Sequence, residues 1–333
     1  MAKRWLPTGE GWVKEPLTSR GGRQGSPRHA CAWIGDHRQA LIYLAALTAI
    51  TAIWGWTFVV VKDAVEQYSV PAFLALRFGV AVLVLLLVAR RLPERRALLA
   101  GAGIGVVLAA GYAFQTYGLQ QTAPGTAGLI TGLFVVFTPL IDRAFGSRVA
   151  VRTWVAVVVA LAGTALLAGV GGGASVGIGD LLILGSAVCF AVQIVLLSRH
   201  GPRLRPMDLA MLQMAANFVV FAAAGATSFS APSVSVWGAV VITGVLASAL
   251  AFPIQAWAQA RMSATRAALI FAMEPAWALF FAVILGKQPL GLIQALGAAL
   301  LLAAVIGHEA VPLLLPGKQP SESPAPAGVL RER

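Results

Sequence analysis

Long apolar runs, cut at intervals by short polar or basic clusters, fill the chain from about residue 40 to residue 309. Between Arg96 and Asp142 lie 45 residues without a charged side chain. That is enough for two bilayer-crossing helices of about 20 residues each. Thr122-Ala-Pro-Gly125 divides the stretch, because proline and glycine interrupt a helix. A further 52 uncharged residues between Asp208 and Arg261 are divided by Ser228-Phe-Ser-Ala-Pro-Ser-Val-Ser235. Working outward predicts ten spans, at about 40–61, 70–89, 98–119, 124–144, 151–170, 180–198, 208–227, 236–257, 264–285 and 289–308. The connections are too short to hold a separate domain.

Composition agrees with that pattern. Hydrophobic residues make up 58% and charged residues 11% of the 333 positions, with a mean hydropathy of +0.80. A soluble domain carries about 25% charged residues, so the solvent for most of this chain is the lipid bilayer. Cys31 and Cys189 have no metal-ligand spacing and read as free thiols.

The net charge of +12 would suggest nucleic acid in a soluble protein. Here the basic residues flank apolar runs, so they speak to orientation and not to a nucleic-acid partner. Counted by side, 22 Lys and Arg fall on the face shared by both tails; Lys62 and Lys287 fall on the other, and Arg77 lies within a span. The positive-inside rule then places both termini in the cytoplasm and requires an even number of spans. Residues 1–38, basic and without apolar periodicity, and 310–333, of which 316–333 are rich in Pro, Ser and Ala, are expected to be disordered cytoplasmic tails.

Shifting the chain by 140 residues lays Tyr112–Ile130 over Phe252–Ile270, with Gln115 on Gln255, Ala127 on Ala267, Leu129 on Leu269 and Ile130 on Ile270. A buried Gln matched to a buried Gln is the informative pair. Five spans in each half, 39–170 and 171–309, force the copies to cross the membrane in opposite directions. The expected fold is all-α and integral to the membrane, with ten transmembrane helices as two inverted five-helix repeats. Many secondary transporters use such repeats for alternating access.

Several segments resemble the drug/metabolite transporter superfamily of the EamA type. They are Ile53-Trp-Gly-Trp-Thr-Phe-Val-Val60, Leu76-Arg-Phe78, Gly179-Asp-Leu-Leu182 and Leu269-Ile-Phe-Ala-Met-Glu-Pro275. The chain departs from the family's Gly-Glu-Arg pattern after the fourth and ninth spans, reading Gly146-Ser-Arg148 and Gly286-Lys-Gln288. The resemblance implies export or exchange of small metabolites, such as amino acids or toxic compounds, across the bacterial inner membrane. It also implies a central cavity lined by the first, third, fourth, sixth, eighth and ninth spans.

Glu274 is the most informative single residue. An ionised carboxylate at mid-span is costly, and an intramembrane acid is a functional candidate by default. It is a candidate proton carrier, with protons as the coupling ion, or a partner for a substrate ammonium. The competing reading ties it to backbone freed by Pro275. Arg77 is a candidate anion partner, set against a structural pairing with a carbonyl or a cytoplasmic acid. Tyr112 and Gln115 share a helix face, as do Phe252 and Gln255. Thr57, Thr131 and Gln193 sit mid-span, and Trp54 and Trp277 lie deepest of the tryptophans in their spans. These residues are the expected lining for a small-molecule substrate. The four histidines lie in tails, loops or span ends, so no metal site, catalytic set or cofactor motif assembles at membrane depth. An enzyme is not expected. Rings of charge or a carbonyl filter, as in a channel, are not visible.

Overall fold

The structure, a computed structural model, describes residues 3–8, 11–16, 27–167, 177–285 and 291–314. By contact density residues 1–42 form one compact unit and 43–333 the other.

The first unit departs from expectation. Strands β1 (Lys3–Thr8) and β2 (Gly11–Pro16) pair antiparallel, from Lys3 opposite Pro16 to Thr8 opposite Gly11. Helix α1 runs from Pro27 to Val65 and so begins well before the apolar run. Both features have local signals. Gly9-Glu10, the pair between the strands in sequence, has glycine first, a favoured hairpin composition. Ser26-Pro27 is a helix-start pair, since proline at the first helical position loses only an N–H that has no partner there. Apolar runs mark where lipid begins, not where the helix does. At the other end α13 (Leu292–Leu314) continues past residue 309, and the rest of that tail lies outside the described residues.

Eight helices are long and apolar enough to cross a membrane: Leu41–Val65, Val70–Ala89, Arg95–Gln121, Pro124–Ala144, Ile178–Arg203, Pro206–Ala224, Val234–Gln259 and Ala264–Ile284. Two shorter apolar helices, Val151–Leu166 and Leu292–His308, fall where the fifth and tenth spans are expected. Residues 168–170 and 289–290, which would lengthen them, lie outside the described residues, as does the Gly286-Lys-Gln288 segment. By element, the expected spans correspond to α1, α2 (Val70–Ala89), α3 (Leu98–Gln121), α4 (Pro124–Thr131) with α5 (Phe134–Ala144), and α6 (Val151–Leu167). The second half holds α7 (Ile178–His200), α8 (Pro206–Ala224), α9 (Val234–Gly244) with α10 (Ala251–Gln259), α11 (Ala264–Phe271) with α12 (Glu274–Ile284), and α13.

The fourth and ninth spans are broken helices, and the breaks match. Every boundary of α11 and α12 lies 140 residues after the corresponding boundary of α4 and α5. At each break the ladder tightens by one residue: Leu133 N donates to Ile130 O at 3.1 Å and Met273 N to Ile270 O at 3.2 Å. The halves pack crosswise, α4 on α12 and α5 on α11. That arrangement brings the breaks together, and a side-chain Cβ at Gly132 would lie 2.7 Å from Pro275 Cγ. The eighth span is irregular differently. A π-helical turn, Val245–Leu250, separates α9 from α10 and precedes Pro253, which has no N–H to continue the ladder.

Charge gathers at the ends of the spans. After α5, Gly146 turns the chain with φ +89°. There Arg199 Nη2 donates to Asp142 Oδ1 at 3.0 Å and to Ser147 Oγ at 2.9 Å. Ser147 stands where the family pattern has Glu, and Asp142 supplies the carboxylate. On the face assigned to the other side, Lys62 Nζ donates to Leu119 O and Gln120 O, both at 2.9 Å. Those carbonyls end α3 and have no intrahelical donor. Lys62→Met should therefore lower stability by about 1 kcal/mol, read from thermal melts in detergent. Gly103→Leu, where a Cβ meets nothing within 4 Å, should leave the melt unchanged.

Candidate functional site

A cavity enclosing ≈ 670 Å³ of empty space, part of it open to solvent, sits among the spans. Trp54, Thr57, Phe58 and Val61 line it from the first span, and Leu108, Tyr112, Gln115, Thr116 and Leu119 from the third. Phe134 comes from the fourth span and Phe190, Gln193 and Ile194 from the sixth. The eighth contributes Phe252 and Gln255, the ninth Phe271 and Glu274, and the second Arg77.

The helix irregularities supply several of the polar partners. Trp54 Nε1 donates to Ala247 O at 3.0 Å, a carbonyl within the π turn. The same turn carries Ser248, whose Oγ accepts from Arg77 Nε at 3.1 Å. Arg77 Nη2 also donates to Tyr112 Oη at 3.3 Å, and the guanidinium carbon lies 4.7 Å from the Tyr112 ring centroid. Arg77 is thus 3% exposed and held by two hydroxyls and an aromatic face. Among the described residues neither a carbonyl nor an acid, the partners named by the structural reading, pairs with it. A guanidinium in low dielectric needs an anion or several acceptors. Among the described residues no carboxylate comes within salt-bridge distance of it.

Glu274 is the first residue of α12, immediately after the break. It is 6% exposed, and its carboxyl accepts no hydrogen bond among the described residues. Phe134 occupies the matching position after the break in the fourth span. One repeat thus puts a phenyl ring, and the other a carboxyl, at the same place beside the cavity.

Two of the expected lining residues lie elsewhere. Thr131 is behind the wall, where its Oγ1 accepts from Gln115 Nε2 at 3.3 Å. Trp277 is turned away from the cavity, three residues past the break. Its Cβ lies 2.7 Å from where a Cβ on Gly55 would be, and its ring packs on Phe280 at 5.8 Å. The break re-aims everything after it, and a straight-helix reading of the ninth span misses that. The aromatic wall was also missed: Phe58, Phe190 and Phe271 join Trp54 and Phe252 there, and Trp54 lies 5.5 Å from Phe271 and 5.9 Å from Phe252. The signal for Phe134 was present, since the 140-residue shift lays it on Glu274.

Gln193 Nε2 donates to Gln213 Oε1 at 2.9 Å, and Gln255 Nε2 to Gln193 Oε1 at 3.3 Å. Gln213, on the seventh span, stands outside the cavity. The site as a whole is an aromatic chamber with a buried cation and a buried acid that do not pair with each other. Such a chamber can hold a solute carrying both charge and apolar surface. No cluster of three or more His, Cys, Asp or Glu capable of holding a metal occurs among the described residues.

Comparison with known proteins agrees with this architecture. A protein of Archaeoglobus fulgidus described as an uncharacterized transporter is 33% identical over 264 residues, covering 78% of this chain and 83% of its own. The uncharacterized inner membrane transporter YedA of Escherichia coli is 29% identical over 278 residues, covering 81% of this chain and 91% of its own. A solved crystal structure matches with a TM-score of 0.63 at 24% identity, over 81% of this chain and 97% of its own, and speaks for the fold. The model of the EamA-like transporter family matches twice, over residues 40–169 and 177–308. The chain is a multi-pass membrane protein and a member of the EamA-like transporter family.

Proposed function

We propose that the protein is a secondary transporter of ten spans, built as two inverted repeats. It exports or exchanges a small amphipathic metabolite, such as an amino acid, across the cytoplasmic membrane by alternating access. Both termini lie in the cytoplasm, as the 22-to-2 distribution of basic residues favours. The observation that carries the reading is the pair of matched breaks. Discontinuous helices meeting at a central cavity are a recurring way for repeat transporters to hold substrate near the midplane. The lone Arg77 and lone Glu274 beside aromatic walls suit a solute with an anionic end, a cationic end and an apolar body. Glu274 is also the group proposed to carry protons.

Counterflow in proteoliposomes tests this. Vesicles loaded with one unlabelled amino acid or amphipathic amine at a time should transiently accumulate the labelled solute for at least one class. A carrier gives this overshoot because its sites turn round occupied. Flux without trans-stimulation for every solute would instead indicate a channel, whereas an uncoupled facilitator would give counterflow but no accumulation driven by an ion gradient.

A further inference from the structure

The chain of side-chain amides behind the eighth-span face of the cavity runs in one direction only. Gln213 Nε2 donates to Leu209 O at 3.1 Å. A backbone carbonyl can only accept, so the orientation of the Gln213 amide is set. Its Oε1 accepts from Gln193 Nε2 at 2.9 Å, and Gln193 Oε1 accepts from Gln255 Nε2 at 3.3 Å. Each amide has one donor end and one acceptor end, so the chain terminates in a carbonyl. Gln255 Oε1 is buried and has no partner among the described residues, on a side chain from a residue only 2% exposed. An empty buried acceptor is costly and calls for a donor.

The matching position in the first half, Gln115, also lines the cavity but is only half-buried. Gln115 commits Nε2 to Thr131 Oγ1 at 3.3 Å, and its Oε1 accepts nothing among the described residues. The carboxyl of Glu274, on the same cavity, also accepts nothing there. Three acceptors from the third, eighth and ninth spans, none with a donor among the described residues, thus border one chamber.

We propose that Gln115, Gln255 and Glu274 form a subsite for a primary ammonium group, whose three N–H donors they match. Gln213 is a positioning residue that sets the polarity of this subsite without touching its occupant. The inference rests on reading the cavity as the substrate site and narrows what that site takes. A quaternary ammonium carries the same charge but no N–H, so it leaves the acceptors empty. If the amide chain were reversed, Gln255 would present an NH₂ to the ammonium and repel it.

The test is equilibrium binding to the purified full-length protein in detergent, by titration calorimetry. Two pairs serve as probes: 2-phenylethylamine with its N,N,N-trimethyl derivative, and L-phenylalanine with its N,N,N-trimethyl betaine. In each pair the primary ammonium should bind at least about tenfold tighter, as hydrogen bonds to a charged donor warrant. Gln213→Met removes the anchor of the chain at similar volume and should reduce that preference to about threefold or less. Gln213→Glu still offers an acceptor to Gln193 and should keep it, which a merely structural role for Gln213 would not require. Should Gln213→Met fail to fold, Gln193→Met cuts the next link and reads the same ratio. Equal binding within both pairs overturns the proposal, and so does absence of binding by all four compounds. A tenfold preference that survives in a folded Gln213→Met protein overturns the role of Gln213. Binding with the expected preference in a protein that shows no counterflow would sink the transport reading and leave the subsite. Counterflow of solutes without regard to N–H groups would do the reverse.

Discussion

Glu274→Gln should abolish accumulation driven by an imposed pH gradient and flatten the pH dependence of transport, while counterflow at saturating substrate persists. The carboxyl at the start of α12 is nearly inaccessible, borders the cavity and accepts no hydrogen bond among the described residues. A group so placed changes state only by exchanging a proton or by pairing its charge with a cation, and the amide has neither a proton to exchange nor a charge to pair. Loss of a hydrogen bond between charged partners is worth about 1.5–3 kcal/mol, so KM for a cationic or zwitterionic substrate should rise roughly 10- to 100-fold. Exchange needs no net proton movement, so turnover at saturation should survive. The measurement is labelled uptake into proteoliposomes across a range of pH, with and without a gradient. A pH profile unchanged by the substitution would end the role of Glu274 as proton carrier.

The second large effect is expected at Gly55, where Gly55→Val should leave little folded protein. A Cβ there would stand 2.7 Å from Ala278 N and 3.0 Å from Glu274 O, both backbone atoms of α12 that cannot swing aside. The first span must then move off the ninth, opening the contact that supports both Glu274 and Trp277. Overpacking of this kind costs about 1–3 kcal/mol in cores that can adjust, and more where backbone meets backbone. Size-exclusion profiles and thermal melts in detergent check it. A monodisperse Gly55→Val protein with the unsubstituted melting temperature would show that the two spans are not in the contact described. The Trp-Gly pair of the first span thus has a physical basis: Trp54 reaches the π turn of the eighth span, and Gly55 lets the ninth come close.

Much of the architecture was legible because lipid permits so few solutions. A charge within a span or an uncovered backbone group is expensive in hydrocarbon. The charge-free runs and their Pro-Gly breaks therefore located the apolar helices to within a few residues. The 140-residue shift that matched Gln115 to Gln255 also predicts the register of the two helix breaks, which local propensity does not reveal. The amino-terminal hairpin went unread because it lies outside the lipid constraint, where only short turn and capping signals speak.

The candidate site was half legible. Chemistry marked out Glu274 and Arg77, since ionisable groups at that depth are rare. Their surroundings followed from geometry. A π turn placed Ser248 against Arg77 and gave Trp54 its carbonyl, while the break before Glu274 turned Trp277 toward Gly55 and away from the cavity. Gln213 looked like any buried polar residue until its partners were known. The sequence by itself determined the spans, the repeat and the few costly polar residues, because transfer into lipid is a property of each side chain alone. Tertiary structure alone decided which of those residues share a cavity and which way each amide points. Both depend on partners contributed by other spans.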